Sequence, residues 1–282
     1  MAHENRPSVR FRRIGSALRQ AREERRLTLG TASRRFGKSA GWLSTVETGQ
    51  IPIRVDDLAD LLDLYDIDDG PLRESLLHLA AQGRRKNWAQ AREGRISAAA
   101  LDLASLEDDS AHMRAFQPNL IPGLLQNEMY TRALIAAGLP SATRDPDALV
   151  AFRMARQAVL RRQPPPRYAA IIGESALHHP VGGRTTMQDQ YRLLNATARL
   201  PHISLYILPS SAAACLWVAG PFDIFTLRPP GRLTVTVIEQ FSQSLFIEDE
   251  QEVAYHERIF DHLLSVSLNE SDSLEVLQGL VS

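Results

Sequence analysis

The sequence predicts a helical N-terminal domain followed by an α+β domain with a small, mainly antiparallel sheet. Apolar residues recur at helical spacing through residues 11–82, whereas runs typical of strands first appear after residue 166. Charge divides the chain similarly: residues 1–54 hold 12 Lys and Arg against 4 Asp and Glu, a balance of +8, and the remainder carries −9. We therefore predict a helical domain at 1–82, a linking helix or hinge at 83–97, and the α+β domain at 98–282.

Composition narrows the class of protein. The 282 residues are 44% hydrophobic and 23% charged, as in ordinary folded proteins. No apolar run approaches the roughly 20 residues that span a bilayer, and the first residues lack the apolar core of a secretory signal. Cys215 is the only cysteine, which excludes a disulfide framework and a cysteine-based zinc site. We expect a cytoplasmic protein without a membrane segment.

The stretch Leu27–Gly49 indicates two short helices joined by a tight turn. Thr28 and Ser39 have hydroxyls that suit helix N-caps, and Gly37 follows an apolar residue where a helix ends with a positive φ. Trp42 or Leu43, together with Val46, supplies the inward face of the second helix. This length and spacing are typical of a helix-turn-helix, whose second helix enters the DNA major groove. Five short helices are expected within residues 11–82.

The C-terminal domain combines helical and strand patterns. One long helix is expected at 96–116, and a hairpin is expected from two strand-like runs bridged by the RPPG sequence at 228–231. The remaining predicted helices lie at 124–137, 147–162, 187–200, 249–266 and 271–280, and the remaining predicted strands at 167–173, 202–208 and 244–247.

The N-terminal residues resemble the Cro/repressor type of helix-turn-helix, also called the xenobiotic-response-element family. The matching signals are Leu27-Thr28 opening the second helix, Gly37, Ser39, and Glu47 followed by Gly49. This resemblance implies a five-helix repressor-like fold. It also implies that Arg22 of the first helix pairs with Glu47 at the end of the third and sets the angle of that helix.

Several motifs follow one another along the C-terminal domain: IPGLLQNEMYTRAL (121–134), RMARQAVLRR (153–162), GESALHHPVGG (173–183), GPF (220–222) and Glu239. With these motifs the C-terminal residues resemble actinobacterial WhiJ-like regulators, which join a helix-turn-helix domain to a domain of uncharacterised function. The resemblance implies a cytoplasmic, commonly dimeric, DNA-binding regulator, often encoded beside a small partner protein in an antitoxin-like arrangement.

The candidate DNA contacts surround the second helix of the motif. Aligned to the repressor motif, the base-reading positions hold Ala40, Gly41, Ser44 and Thr45, with Trp42 beside them, where relatives usually offer Arg, Lys, Gln or Asn. Specificity is therefore expected to be weak. Ser39 caps this helix, and phosphate binding falls to a cluster of cations, Arg34, Arg35 and Lys38, flanked by Arg12, Arg13 and Arg54.

In the second domain, the candidate ligand contacts are Glu174, Arg153, Arg156 and Trp217. The two arginines either hold an anionic effector or form salt bridges with the acidic surface. Glu174 either contacts a ligand or interacts with backbone amides at a helix N-terminus. Trp217 lies in an apolar segment that suits a lid, a pocket wall or a dimer contact.

We found no catalytic triad, metal-ligand set or cofactor loop, so the sequence predicts no enzyme, no cofactor and no metal. The leading hypothesis is a transcription regulator that binds a (pseudo)palindromic operator in double-stranded DNA as a homodimer. Its C-terminal domain would sense a small-molecule effector or a partner protein. The alternative is an antitoxin-like interaction module for a small protein encoded nearby, with weak DNA specificity.

Overall fold

The computed structural model describes residues 9–82, 96–138, 145–212, 220–228, 234–239 and 244–281. Within these ranges two compact units form, the first up to Asp102 and the second from Leu103 onward. The predicted linking helix at 83–97 falls mostly outside the described residues. No helix in the described ranges is long and apolar enough to cross a bilayer.

The predicted N-terminal helices are confirmed: α1 (Val9–Glu24), α2 (Leu29–Phe36), α3 (Ala40–Glu47), α4 (Val55–Leu64) and α5 (Pro71–Gln82). Their apolar stripes meet in one core. Leu43, rather than Trp42, is the fully buried residue of α3 beside Val46. The most deeply buried partners from α1 and α4 are Ile14, Leu18, Leu58, Leu61 and Leu62.

Two glycines let α1 approach the C-terminal end of α3 closely. A Cβ at Gly15 of α1 would lie 2.4 Å from the carbonyl oxygen of Val46 and 2.5 Å from that of Glu47. Gly49, just after α3, has φ +72°, and a Cβ there would lie 2.5 Å from the backbone nitrogen of Arg12. Backbone atoms cannot move aside as a flexible side chain can, so both positions require glycine.

The second unit contains one six-stranded sheet in the order β3-β2-β1-β4-β5-β6. The β1-β2 and β2-β3 pairs are parallel, and the other three pairs are antiparallel, which confirms the mainly antiparallel α+β prediction. The strands are β1 (Ser110–Gln117), β2 (Arg167–Gly173), β3 (Ile203–Leu208), β4 (Phe222–Leu227), β5 (Thr234–Glu239) and β6 (Ser244–Ile247).

The helices around this sheet lie in the predicted order, with one short helix, Glu174–His178, that the sequence did not predict. The helix predicted at 147–162 ends at Arg156, where a 3-10 turn (Gln157–Arg161) follows, and further 3-10 turns lie at Gly123–Leu125 and Ser210–Ala212. The α-helices are α6 (Ala98–Asp109), α7 (Glu128–Gly138), α8 (Pro146–Arg156), α9 (Glu174–His178), α10 (Arg184–Thr197), α11 (Glu250–Ser265) and α12 (Glu270–Val281).

The prediction of one helix over residues 96–116 is wrong. The helix ends at Asp109, where the Ser110 hydroxyl donates a 2.6 Å hydrogen bond to the carbonyl of Leu106, and β1 follows at once. From His112 to Phe116, residues alternate between the two faces of a strand hydrogen-bonded on both sides, by β2 and β4. These pairings with distant strands hold residues 110–117 in a strand, although the alanine-rich segment before them is helical.

The two sheet faces have different chemistry. Phe116, Phe222 and Ile224 share one face and pack with Phe260 and Leu263 of α11 in an apolar cluster. Strand register places Met113, Tyr168 and Asp223 on the other face. That second face borders the polar cavity described below. The predicted β4-β5 hairpin is confirmed by the pairing of Asp223 with Val237, and most of its RPPG turn lies outside the described residues.

Candidate nucleic-acid interface and polar cavity

Local hydrogen bonds shape the turn between α2 and α3. The Thr28 hydroxyl accepts from the Thr31 amide at 3.2 Å, and the Ser39 hydroxyl accepts from the Trp42 amide at 3.1 Å. Gly37 ends α2 with φ +74°, and the amide of Lys38 donates to the carbonyl of Ser33 at 3.0 Å. The predicted caps and turn glycine are therefore present, and they fix where α3 begins.

A buried ion pair fastens the other end of α3 to α1. Arg22 donates two hydrogen bonds to Glu47, from Nε at 2.7 Å and from Nη2 at 2.9 Å, and a third from Nη1 to the carbonyl of Leu27 at 2.8 Å. The side chains are 8% and 3% exposed. Hydrogen bonding to Glu47 raises the pKa of Arg22. Two parallel bonds between planar groups also fix relative orientation, so the pair holds α3 at one angle.

The outward face of α3 presents small, neutral side chains. Ala40 and Gly41 are exposed at its N-terminus, whereas Ser44 and Thr45 are half-buried. The Thr45 hydroxyl donates to the carbonyl of Trp42 at 2.7 Å, so this donor is engaged within the helix. This surface permits close approach to a groove but offers few side-chain groups for reading base edges.

Trp42 packs within the motif and not in the domain core. Its ring stacks on Phe36 with centroids 5.7 Å apart and planes at 15°, which bridges α2 and α3. The Lys38 ammonium lies 5.5 Å from the centroid of the Trp42 ring and 4.0 Å from a carboxylate oxygen of Asp57. Lys38 therefore has intramolecular electrostatic partners that offset part of its charge.

The other predicted phosphate contacts differ in their surroundings. Arg34 and Arg35 are exposed on the last turn of α2, directly before the turn that leads to α3. Arg54 at the start of α4 lies 3.6 Å from Asp56, with both side chains largely exposed. Arg12 and Arg13 are half-buried on α1. The structure thus brings Arg34, Arg35 and Lys38 together beside the N-terminus of α3.

A cavity of about 120 Å³ lies within the second unit. One side, here called the sheet wall, comprises Met113, Tyr168, Asp223, Phe225 and Glu239 of β1, β2, β4 and β5. The other side, here called the covering wall, comprises Glu107 of α6, Arg153 and Arg156 of α8, and residues of the 121–126 turn, including Gln126.

Within the covering wall, Glu107 neutralises the charge of Arg156. Its Nε and Nη2 donate to the two carboxylate oxygens of Glu107 at 2.8 and 2.6 Å, and the side chains are only 9% and 4% exposed. Burial raises the pKa of Glu107, and the two bonds from Arg156 oppose that shift. Of the two predicted roles for Arg156, the structure therefore places it in a salt bridge, with a buried partner.

Arg153 has a different environment from Arg156. Its Nη1 donates to the amide oxygen of Gln126 at 2.9 Å, and it forms no ion pair with any carboxylate in the described part of the chain. Gln126 is itself fixed, because its Nε2 donates to the carbonyl of Ile121 at 2.7 Å and its oxygen accepts from Thr131 at 3.0 Å. Burial lowers the pKa of Arg153.

The sheet wall carries two carboxylates on neighbouring strands. Asp223 is paired in register with Val237, and Glu239 follows two residues later, so both side chains lie on the same face. Burial raises the pKa of Asp223 well above its ordinary value, and the negative charges of Glu239 and Glu107 add to the shift. Burial likewise raises the pKa of Tyr168, which is 4% exposed.

The Asp223→Asn variant is expected to be more stable than the unmodified chain at about pH 8 and similar to it at about pH 4. The pKa of Asp223 is higher in the folded chain than in the unfolded chain, so between these two pKa values only the folded chain keeps the carboxyl proton. The free energy of unfolding of the unmodified chain therefore falls as the pH rises from the lower pKa to the higher one. Asparagine does not titrate, so the variant does not lose stability in this way as the pH rises. Thermal unfolding across this range measures the difference, with Asp189→Asn, at an exposed carboxylate on α10, as the control. If the stability difference between Asp223→Asn and the unmodified chain did not change with pH, the raised pKa of Asp223 would be contradicted.

Glu174 lies apart from the cavity. Glu174 accepts a 2.7 Å hydrogen bond from the backbone amide of Ser210, which lowers its pKa, and it does not line either wall. Trp217 lies outside the described residues. Sequence reasoning missed Glu107, Asp223 and Tyr168 altogether and gave Glu239 no role. The family resemblance could have pointed to this cavity. The motifs that carry it supply or adjoin the cavity residues, and they are the segments at 121–134, 153–162 and 220–222 together with Glu239.

The N-terminal unit is a helical domain with a capped helix-turn-helix, a motif typical of DNA-binding proteins. The second unit is an α+β domain with a polar cavity. Comparison with known families agrees: residues 13–76 match a helix-turn-helix domain. Residues 100–279 match the family described as a domain of unknown function (DUF5753), and because this match spans more than half of the chain, the protein belongs to that family. No curated protein and no solved structure matches the chain.

Proposed function

We propose that this protein is a cytoplasmic transcription regulator that binds a (pseudo)palindromic operator in double-stranded DNA as a homodimer. One observation carries the proposal: α3 is capped by Ser39 at one end, fixed by the buried Arg22–Glu47 pair at the other, and exposed at its N-terminus. A helix held in this way can be inserted into a major groove at a defined angle. The match to a helix-turn-helix domain supports it.

Affinity in this proposal comes mainly from phosphate contacts. Ala40 and Gly41 provide no side-chain hydrogen bonds, although the Ala40 methyl can contact a thymine methyl. Arg34 and Arg35 project beside the same end of α3 and can neutralise phosphates. Two heads in a dimer would then add specificity through the spacing of their half-sites.

Selection of genomic fragments by the full chain, followed by footprinting, tests this function. We expect one class of enriched fragments in which two inverted half-sites lie about 10 base pairs apart, one helical turn. Retention of fragments without any enriched sequence would overturn the operator proposal.

Replacing Arg34 and Arg35 by alanine should make DNA binding less sensitive to salt. Each phosphate contact contributes about 0.9 to the slope of log K against log salt, so losing two should reduce the slope by about 2. The control replaces Arg167 and Arg199, two exposed arginines of the C-terminal domain, by alanine. Equal slopes for the two double variants would contradict the phosphate assignment.

The C-terminal domain is proposed to sense an effector or a partner, and the polar cavity supports an effector. A second function, an antitoxin-like module that binds a small protein encoded nearby, is favoured by the neutral start of α3. Co-expression with the product of each adjacent gene distinguishes the two. A stable complex combined with sequence-independent DNA binding would favour the second function.

A further inference from the structure

The two walls of the cavity carry opposite types of ionisable group, and among the described residues no ion pair joins one wall to the other. On the covering wall, Arg156 is satisfied by Glu107, which leaves Arg153 as the guanidinium without a carboxylate partner. On the sheet wall, neither Asp223 nor Glu239 forms an ion pair or side-chain hydrogen bond with any described residue. Arg153 is half-buried, and a guanidinium without a carboxylate partner in a partly desolvated space costs free energy.

Arg153 is prepared to bind an anionic group. A guanidinium has five N–H donors, and the bond to the Gln126 oxygen uses one. Gln126 is held by Ile121 and Thr131, so it fixes the position of the guanidinium without neutralising its charge. A carboxylate is the small group that matches the remaining fork of donors.

The sheet wall is prepared to bind a cationic donor. Asp223 and Glu239 lie on one face of adjacent strands, where an ammonium can donate to both. Tyr168 is 4% exposed and lines the cavity beside them. Its phenol hydroxyl can donate or accept a hydrogen bond, so it adds a third polar group to this wall.

We propose that this cavity binds a small zwitterion, with its carboxylate on Arg153 and its ammonium between Asp223 and Glu239. The proposal rests on the effector-sensing role given to this domain above and names the chemical class of the effector. The cavity volume of about 120 Å³ favours a molecule the size of a free amino acid, because the pockets that bind drug-sized ligands measure about 300–1,000 Å³. A zwitterion satisfies both walls at once, whereas an anion or a cation alone leaves one wall unpaired.

Thermal unfolding of the full chain with small probes tests the inference. The zwitterions are glycine, L-alanine, β-alanine and γ-aminobutyrate, and the matched half-molecules are acetate and methylammonium. We expect at least one zwitterion to raise the Tm in a saturable manner, because a ligand that binds the folded state stabilises it. Neither half-molecule should do so at the same concentration.

Variants locate the binding. Arg153→Gln and Asp223→Asn should each weaken binding of that zwitterion at least tenfold by calorimetry, and Arg167→Gln and Asp189→Asn should leave it unchanged. Arg153→Lys keeps the positive charge but loses the fork, so it should also bind weakly in a folded protein. The proposal is overturned if no zwitterion raises the Tm, if a half-molecule is as effective, or if the cavity variants bind as the controls do.

The genomic selection separates this result from the proposed regulatory function. Enriched palindromic fragments without zwitterion binding would reject only the ligand class. Zwitterion binding by a chain that selects no DNA sequence would instead retain the ligand site and reject the operator.

Discussion

Replacing Glu47 by alanine is expected to lower the free energy of unfolding of the N-terminal domain by about 3–5 kcal/mol. The variant leaves the Arg22 guanidinium buried without its carboxylate, since the two side chains are 8% and 3% exposed in the native pair. Because the pair also fixes α3 against α1, DNA binding should be lost with it. Hydrogen exchange of peptides from residues 9–64 in the full chain measures the local stability.

The control for this prediction is an exposed ion pair within α1, whose nitrogen-to-oxygen distance is similar to that of the Arg22–Glu47 pair. Arg19 donates to Glu23 at 2.9 Å, but the side chains are 62% and 53% exposed. Arg19→Ala should therefore change stability by less than about 1 kcal/mol. A double variant, Arg22→Met with Glu47→Leu, should recover most of the stability by removing both buried charges. Equal effects of Glu47→Ala and Arg19→Ala would contradict the role of burial.

Replacing Gly15 by alanine should destabilise the same domain by about 1–3 kcal/mol. The added Cβ would lie 2.4 Å from the Val46 carbonyl oxygen, so α1 and the end of α3 must separate. This outcome opposes intrinsic helix propensity, which favours alanine over glycine by about 1 kcal/mol. The sign of the effect thus reports directly on the contact between the two helices.

Gly30 of α2 provides the matched control, because a Cβ there meets no atom within 4 Å. Gly30→Ala should stabilise the domain by about 0.5–1 kcal/mol, the reverse of the effect at Gly15. Both variants can be measured by the same hydrogen-exchange experiment. A stabilising effect at both positions would show that α1 does not approach α3 as closely as the structure indicates.

The parts of the fold that follow from local chemistry were predictable from the sequence. Thr28, Ser39 and Gly37 act on residues within a few positions of themselves, so their residue types suffice to place the caps and the turn. The hairpin between β4 and β5 is similarly local. The Arg22–Glu47 pair, 25 residues apart, was proposed through family resemblance and not from spacing.

Features that depend on distant pairing were missed. The strand from Ser110 to Gln117 exists because β2 and β4 hydrogen-bond to it from residues 167–172 and 222–227. Arg156 and Glu107 are 49 residues apart, and nothing in either local sequence indicates the pair. The need for glycine at position 15 likewise appears only when the crossing of α1 and α3 is known.

The cavity illustrates the same limit for the candidate site. Arg153 and Arg156 were identified by their helical spacing, but the sequence did not distinguish the neutralised arginine from the one that lacks a carboxylate partner. That distinction depends on α6 and on the turn at Gln126, which converge only in the folded domain.

The proposed function requires that α3 enters the major groove of an operator. Methylation interference on a fragment selected by the full chain tests it directly, since the N7 of guanine lies in the major groove and the N3 of adenine in the minor groove. We expect interference at guanine N7 within two half-sites about 10 base pairs apart, on one face of the duplex. Interference confined to adenine N3, or absent from both half-sites, would contradict it.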